Sequence, residues 1–293
     1  MTAPPSTNTS PIAFGRVGPP GAERAVARLG GEAFDLTPVT SDITSSSLDG
    51  GGLEVMIAAV RSGNLRRIAI EGSRIGPPVA DPGKIVCIGL NYHLHAQETG
   101  APIPSEPIVF MKDPSCVVGP DDEVLIPRTS TKTDWEVELA VVIGRTARYL
   151  PNPSAARACI AGYSISNDVS EREFQLERGG QWDKGKSCET FNPLGPWLVP
   201  TESISDPQDL HLRLWVNGFL RQSSSTNDMI FPVDHLIWYL SQFMVLRPGD
   251  IVNTGTPAGV ALGLPDTPYL RPGDVIELEV EHIGRQRQVV GQA

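Results

Sequence analysis

Residues 133–144, TDWEVELAVVIG, constrain the fold of this chain more than any other stretch. Acidic side chains stand at every second position (Asp134, Glu136, Glu138), and Trp135, Val137 and Leu139 alternate with them. Successive side chains of a strand point to opposite faces, so the three acids would share one face. The sequence then turns apolar on both faces in AVVIG, the pattern of a strand covered on both sides. Carboxylates at the mouth of such a strand lose their hydration, a cost that only pairing or a bound cation removes. A hard cation such as Mg²⁺ suits them, because it accepts carboxylates and keeps water or substrate oxygens in its remaining positions. The spacing by itself is weak: Glu277, Glu279 and Glu281 repeat it and read as the solvated face of another strand. The apolar continuation sets the first group apart. So does a further candidate acid, Asp168, after the strand-like YSISN, although alone it would read as a turn residue.

The rest of the chain is punctuated by 29 Gly and 27 Pro, which favours short elements joined by turns. Strand signals recur in IAFGRV, KIVCIGL, PIVFMK, EVLIP and YSISN, and residues 66–71 read as another. Helices are expected over residues 53–61, 153–160 and 233–243, with a further one opening at Ser170 through a Ser170–Glu173 capping box and stopped by Gly179 and Gly180. LRPGD occurs twice, each time before a β-branched stretch, and is a repeated turn. The expectation is a mixed α/β, β-rich fold with a central barrel or roll. Residues 1–12 read as a frayed tail, 13–78 as a small N-terminal domain ending in the linker-like GPPVADPG, and 79–293 as the main domain. No GxGxxG follows a strand and no P-loop is present, which disfavours dinucleotide and nucleotide sites.

The formal charge of -10, without a basic cluster, argues against nucleic acid as a partner. It also means that an acidic substrate must be drawn in by a local cation. Cys87, Cys116, Cys159 and Cys188 show no metal-like spacing and read as reduced cysteines of a cytoplasmic protein. No apolar stretch is long enough to span a membrane, and residues 1–15 lack the pattern of a signal peptide.

Three further groups of residues carry chemistry. In NYHLHAQE, a helical turn would bring His95 and Glu98 together at i and i+3, the arrangement of a base oriented to activate water; a surface pair is the plainer alternative. His93 would face elsewhere. Lys184 and Lys186 sit in a Gly- and Pro-rich loop, where lysines are usually solvated. The glycines of GTPAGVALG, from Gly255 to Gly263, would let backbone N–H groups approach an anion.

Together these segments resemble the fumarylacetoacetate hydrolase family, through GLNYHLHAQETG, EPIVFMK, TDWEVELAVVIGR, SISNDVSEREFQLERGGQWDKGKSCETFNPLGPW, NDMIF and both LRPGD segments, from about Lys84 to near the C-terminus. The resemblance implies a β-roll catalytic domain and usually a homodimer. It implies Mg²⁺, or Mn²⁺ in its place, with Ca²⁺ as a substitute in crystals, held by Glu136, Glu138 and Asp168. It places Lys186 and Thr190 beside the metal, Arg172 and Gln175 toward the substrate, and Gly255 and Thr256 at a substrate carboxylate. It makes His95 and Glu98 a catalytic dyad on a lid. Ala261 departs from the glycine of many relatives. The implied reaction is hydrolysis of a C–C bond in a 2,4-diketo acid to pyruvate and a carboxylic acid, with His95 activating water and Lys186 stabilising the oxyanion. Within the family the likeness is greatest to hydrolases of 2,4-diketo-3-deoxy-L-fuconate and to acylpyruvases. The alternatives are a 2-hydroxyhepta-2,4-diene-1,7-dioate isomerase, an oxaloacetate decarboxylase or a non-catalytic binding protein on the same scaffold.

Overall fold

The computed structural model describes residues 11–293. The expected tail therefore lies, for residues 1–10, outside the described residues, and Ile12 already opens a strand. VELAVVI forms the strand Val137–Ile143, buried along its whole length. It sits inside a twelve-stranded sheet, between Ile160–Asn167 and Ile251–Asn253, both antiparallel to it. Beyond Ile251–Asn253 lie Ile85–Gly89, parallel to it, and then Ile108–Lys112 at the edge. On the other side, Ile160–Asn167 pairs with Asn192–Pro200. That strand in turn pairs with Ile12–Val17, followed outward by Arg24–Leu29 and Glu32–Asp35. The N-terminal strands thus extend the same sheet.

Period-two alternation sends Val137, Leu139, Val141 and Ile143 into one apolar cluster and Ala140 and Val142 into another, so the sheet separates two cores. A second, five-stranded sheet contains the hairpin His211–Val216 and Phe219–Ser225, and Val275–Val280 with Gly284–Gln292. Asn217 and Gly218 turn the first hairpin with φ of 52° and 77°, the left-handed pair that such a tight turn requires. Val275–Val280 alternates buried and half-buried residues, and Glu277 and Glu279 pair with Arg285 and Arg213 at its wet face. No helix among the described residues is long and apolar enough to cross a membrane.

The structure is mixed and sheet-rich as expected, with three corrections. Among the described residues the large sheet is open, ending at Arg67–Ile68 and Ile108–Lys112, so it closes no barrel. The helix expected at Ser170 does not form: Ser170–Glu171 pairs with Thr133–Asp134, and the Ser170 hydroxyl donates to the Asp168 carbonyl instead of capping. A π turn, Glu173–Glu177, follows, and Gly179 and Gly180 (φ 84° and 70°) end it. Residues 153–160 are two 3₁₀ turns, Pro153–Ala155 and Arg157–Cys159, and Ile160 begins a strand.

Candidate metal centre and active-site cleft

Strand register assembles the acids. Val137 pairs with Asn167 and Glu138 with Ser166, so Glu136 falls opposite Asp168, whose N–H donates to the Glu136 carbonyl at 2.9 Å. One carboxylate oxygen from each of Glu136, Glu138 and Asp168 lies within 4.8 Å of the others, and all three residues are buried. Asp134, expected on the same face, is not among them. It belongs to the short strand Thr133–Asp134, ahead of the regular alternation. Its carboxylate accepts from the Ala261 and Leu262 N–H groups at 2.7 and 3.0 Å and from Arg172 Nε at 2.8 Å.

Cations surround two of the three acids. Arg172 bridges Asp134 and Glu136, the latter at 2.7 Å, and its remaining terminal nitrogen donates to Gln175 Oε1 at 2.9 Å. Lys186, 2 % exposed, donates to Glu136 Oε2 at 2.7 Å and to Asp168 Oδ2 at 2.8 Å. Lys184 is exposed and donates to the Arg178 carbonyl, so of the two loop lysines only Lys186 enters the site. A further lysine, Lys112, is one that sequence reasoning misses. Its buried ammonium binds Asp168 Oδ1 and the Val169 carbonyl. The one hint is its place two residues after Phe110, on the inward face of an otherwise apolar edge strand.

These contacts split the titration of the two glutamates. Burial would raise Glu136, but Lys186 and Arg172 outweigh it and hold its carboxyl at about 2. Glu138 goes the other way: burial, then the charges of Asp168 and Glu136, push it well above the usual carboxylate range. Among the described residues no cationic side chain contacts Glu138; its Oε2 accepts only the Gly255 N–H, at 2.7 Å. A buried acid held among other acids without a counter-ion fits a site completed by a cation, and an all-carboxylate donor set suits Mg²⁺ or Mn²⁺. Lys186 is raised because Asp168 and Glu136 overcome the effect of burial, and it remains an ammonium.

A cleft of about 310 Å³ opens onto Glu136 and Glu138 and reaches His95, Thr99, Arg172, Gln175 and Thr256. His95 lies on the helix His93–Thr99, which Gly100 ends in the left-handed conformation (φ 65°). Asn91 fixes the approach to that helix: its side chain donates to the Thr254 and Phe231 carbonyls and accepts from the Phe231 N–H. His95 Nδ1 meets Glu98 Oε2 at 3.1 Å, and Glu98 Oε1 accepts from the Gly259 N–H at 2.9 Å. His93 is exposed.

The remaining expected residues are placed less directly. Gly255 spends its N–H on Glu138. Thr256 lines the cleft, but its hydroxyl lies between the Val137 carbonyl (3.0 Å) and the Gln222 amide (2.9 Å). Thr190 accepts from the Leu125 N–H and does not line the cleft.

Known proteins share this framework. The model of the fumarylacetoacetate (FAA) hydrolase C-terminal family matches residues 84–291. A 2,4-didehydro-3-deoxy-L-rhamnonate hydrolase from Sphingomonas sp. (strain SKA58) is 46 % identical over 283 residues, covering 95 % of this chain and 96 % of the relative. The fumarylacetoacetate hydrolase of Exiguobacterium antarcticum superposes with a TM-score of 0.83 at 34 % identity, covering 96 % of this chain and all of that one. The maleylpyruvate hydrolase of Sphingobium sp. SYK-6, solved with manganese(II) and pyruvate, superposes with a TM-score of 0.79 at 29 % identity, covering 96 % and 99 %. With the family match spanning Glu136, Glu138 and Asp168 and the two strands at whose ends they lie, as well as the helix that carries His95, this chain belongs to the fumarylacetoacetate hydrolase family and is an enzyme of its hydrolase kind.

Proposed function

We propose that the enzyme hydrolyses the C3–C4 bond of a 2,4-diketo acid, releasing pyruvate and a carboxylic acid, and that it depends on Mg²⁺ or Mn²⁺ held by Glu136, Glu138 and Asp168. The observation that carries this reading is Glu138, a buried carboxylate beside two others with no counter-ion of its own. The Mn²⁺ and pyruvate held by the Sphingobium relative support the same class of site.

When bound, the divalent cation supplies a Lewis acid for the keto-acid oxygens. The chain's own residues do the rest. An ionised carboxylate only accepts hydrogen bonds, so Glu98 selects the tautomer of His95 with its proton on Nδ1 and leaves the Nε2 lone pair free. His95 then takes a proton from water as the water oxygen bonds to C4, and Glu98 stabilises the resulting imidazolium. Lys186 lines the cleft as an ammonium and offsets negative charge developing on the C4 oxygen. When C3–C4 breaks, its electron pair moves to the pyruvyl fragment. The proton held by His95 passes to C3, and the acyl group leaves as the carboxylic acid. Gly259 holds Glu98, and through it His95, against the loop that follows Thr256.

The test is pyruvate release from acetylpyruvate. EDTA-treated enzyme is expected to be inactive and to recover with Mg²⁺ or Mn²⁺. Full activity after metal removal, or no pyruvate with either ion, contradicts the proposal.

A further inference from the structure

The cleft has two chemically different ends. The acid end holds Arg172 and Lys186, the only cations among the described residues that line it, and both are already engaged. The three guanidinium nitrogens of Arg172 donate to Asp134, Glu136 and Gln175. Lys186 is divided between Glu136 and Asp168. The apolar end begins immediately beside Lys186, whose ammonium stands 5.0 Å above the Phe110 ring. Phe110 meets Trp182 edge-on, with ring centroids 5.4 Å apart. Leu90 lines the same cleft, as do Ile108 and Leu176, which keep 37 % and 45 % of their surface exposed where the cleft meets solvent.

This wall is built into the backbone. Trp182 lies against the end of the Ile85–Gly89 strand so closely that a Cβ on Gly89 would come within 2.5 Å of its ring, so a larger residue there would push the indole aside. Trp182 directly precedes the turn Asp183–Lys186, which puts wall and ammonium one helical turn apart. The turn is fastened to the edge strand where the Asp183 carboxylate accepts from the Met111 N–H (3.1 Å), and Ser187 Oγ accepts from the Asp113 N–H (2.9 Å). Leu90 is held in the left-handed region (φ 55°), an unfavourable conformation for leucine, between Gly89 and the anchored Asn91.

We infer that the acyl end of the substrate is read by an apolar box made of Leu90, Ile108, Phe110, Leu176 and Trp182, so that the enzyme takes 2,4-diketo monoacids whose tail ends in an unhydroxylated carbon and discriminates against tails ending in a hydroxyl or a second carboxylate. The inference rests on the proposed diketo-acid reaction and specifies its substrate class. Either group it excludes would lose water against the Phe110 and Trp182 rings, and the two cations that line the cleft are already bound to carboxylates.

The experiment compares 2,4-dioxoheptanoate, its near-isostere 6-hydroxy-2,4-dioxohexanoate and the diacid 2,4-dioxohexanedioate. With the Mn²⁺-loaded full-length enzyme, kcat/KM for pyruvate release is expected to favour the first over the second by about 10- to 100-fold, the range by which an apolar pocket discriminates small changes. The diacid is expected to be poorer still. Calorimetric binding of the same acids to the Mn²⁺-loaded His95→Ala protein is expected to follow the same order. In Trp182→Gln the ratio between the first two substrates is expected to fall by about 10-fold, whatever the absolute rates. Equal kcat/KM or tighter binding for the hydroxylated acid or the diacid overturns the inference while leaving the diketo-acid reaction intact. If no acid yields pyruvate, the reaction fails, and the binding order alone decides whether the box reads the tail.

Discussion

Replacing Glu138 by Gln and Glu136 by Gln should have opposite effects on the metal-free fold, although the two residues lie two positions apart at the start of one strand and both are expected to hold the cation. Glu136 accepts from Arg172 and Lys186, each at 2.7 Å and each buried. Removing its charge leaves two buried cations short of a partner, and breaking a buried pair in this way costs about 3–5 kcal/mol. Glu138 has only the Gly255 N–H, which an amide oxygen in the same place accepts equally well. Its carboxyl is raised well above the ordinary 4.5 by burial and by Asp168 and Glu136. A carboxyl raised on folding contributes stability that is fully present below its unfolded value and lost as pH climbs toward its folded one. The metal-free wild type should therefore lose ground to Glu138→Gln as pH rises above about 4.5, by up to about 1.4 kcal/mol per pH unit. Urea unfolding of EDTA-treated protein from pH 5 to 8 measures this. Adding Mn²⁺ at about 100 times its dissociation constant should stabilise the wild type by about 2.7 kcal/mol and leave Glu138→Gln nearly unmoved. The reasoning is refuted if Glu138→Gln destabilises the metal-free protein as Glu136→Gln does, or if Mn²⁺ stabilises it as much as the wild type.

Lys112→Met should cost the metal-free protein about 3 kcal/mol, since Asp168 and the Val169 carbonyl lose a buried partner, and urea unfolding should show a smaller loss with Mn²⁺ present. His95→Ala should lower pyruvate release by about 10²- to 10⁴-fold while Mn²⁺ affinity by calorimetry stays within a few-fold of wild type, because His95 contacts none of the three acids. Gly255→Ala should destabilise the fold by about 1–3 kcal/mol and weaken Mn²⁺ binding: at φ 100° its Cβ would come 2.7 Å from that of Asn91, and the N–H held by Glu138 would shift. Thermal unfolding and Mn²⁺ titration check both effects.

The buried strand with acids at its mouth is legible in the sequence because alternation that runs into a doubly apolar stretch fits a strand entering the core and little else. Register is not legible. Asp168 meets Glu136 because Val137 pairs with Asn167, a fact of strand pairing that no spacing within either segment records. Asp134 departs from expectation for a related reason: strict alternation does not reach back past the start of the regular strand, and its carboxylate instead latches the loop at Ala261 and Leu262. The Ser170–Glu173 spacing suggests a cap, but pairing of Ser170–Glu171 with Thr133–Asp134 overrides the local preference. Asn192–Pro200 is hidden because Pro193 and Pro196 argue against a central strand; its pairing with Ile160–Asn167 is correspondingly irregular. The hairpin at Asn217–Gly218 does carry a readable signal, an Asn-Gly pair between two strand-like stretches. Lys112 carries almost none, since a lysine closing an apolar edge strand normally reaches solvent.

The most direct measurement is the anomalous difference map of a crystal grown with Mn²⁺. One strong peak is expected in the cleft, with a carboxylate oxygen of each of Glu136, Glu138 and Asp168 at about 2.0–2.3 Å from it. A peak that leaves Glu138 out, or no peak at these acids under conditions where Mn²⁺ sustains turnover, contradicts a three-carboxylate metal centre.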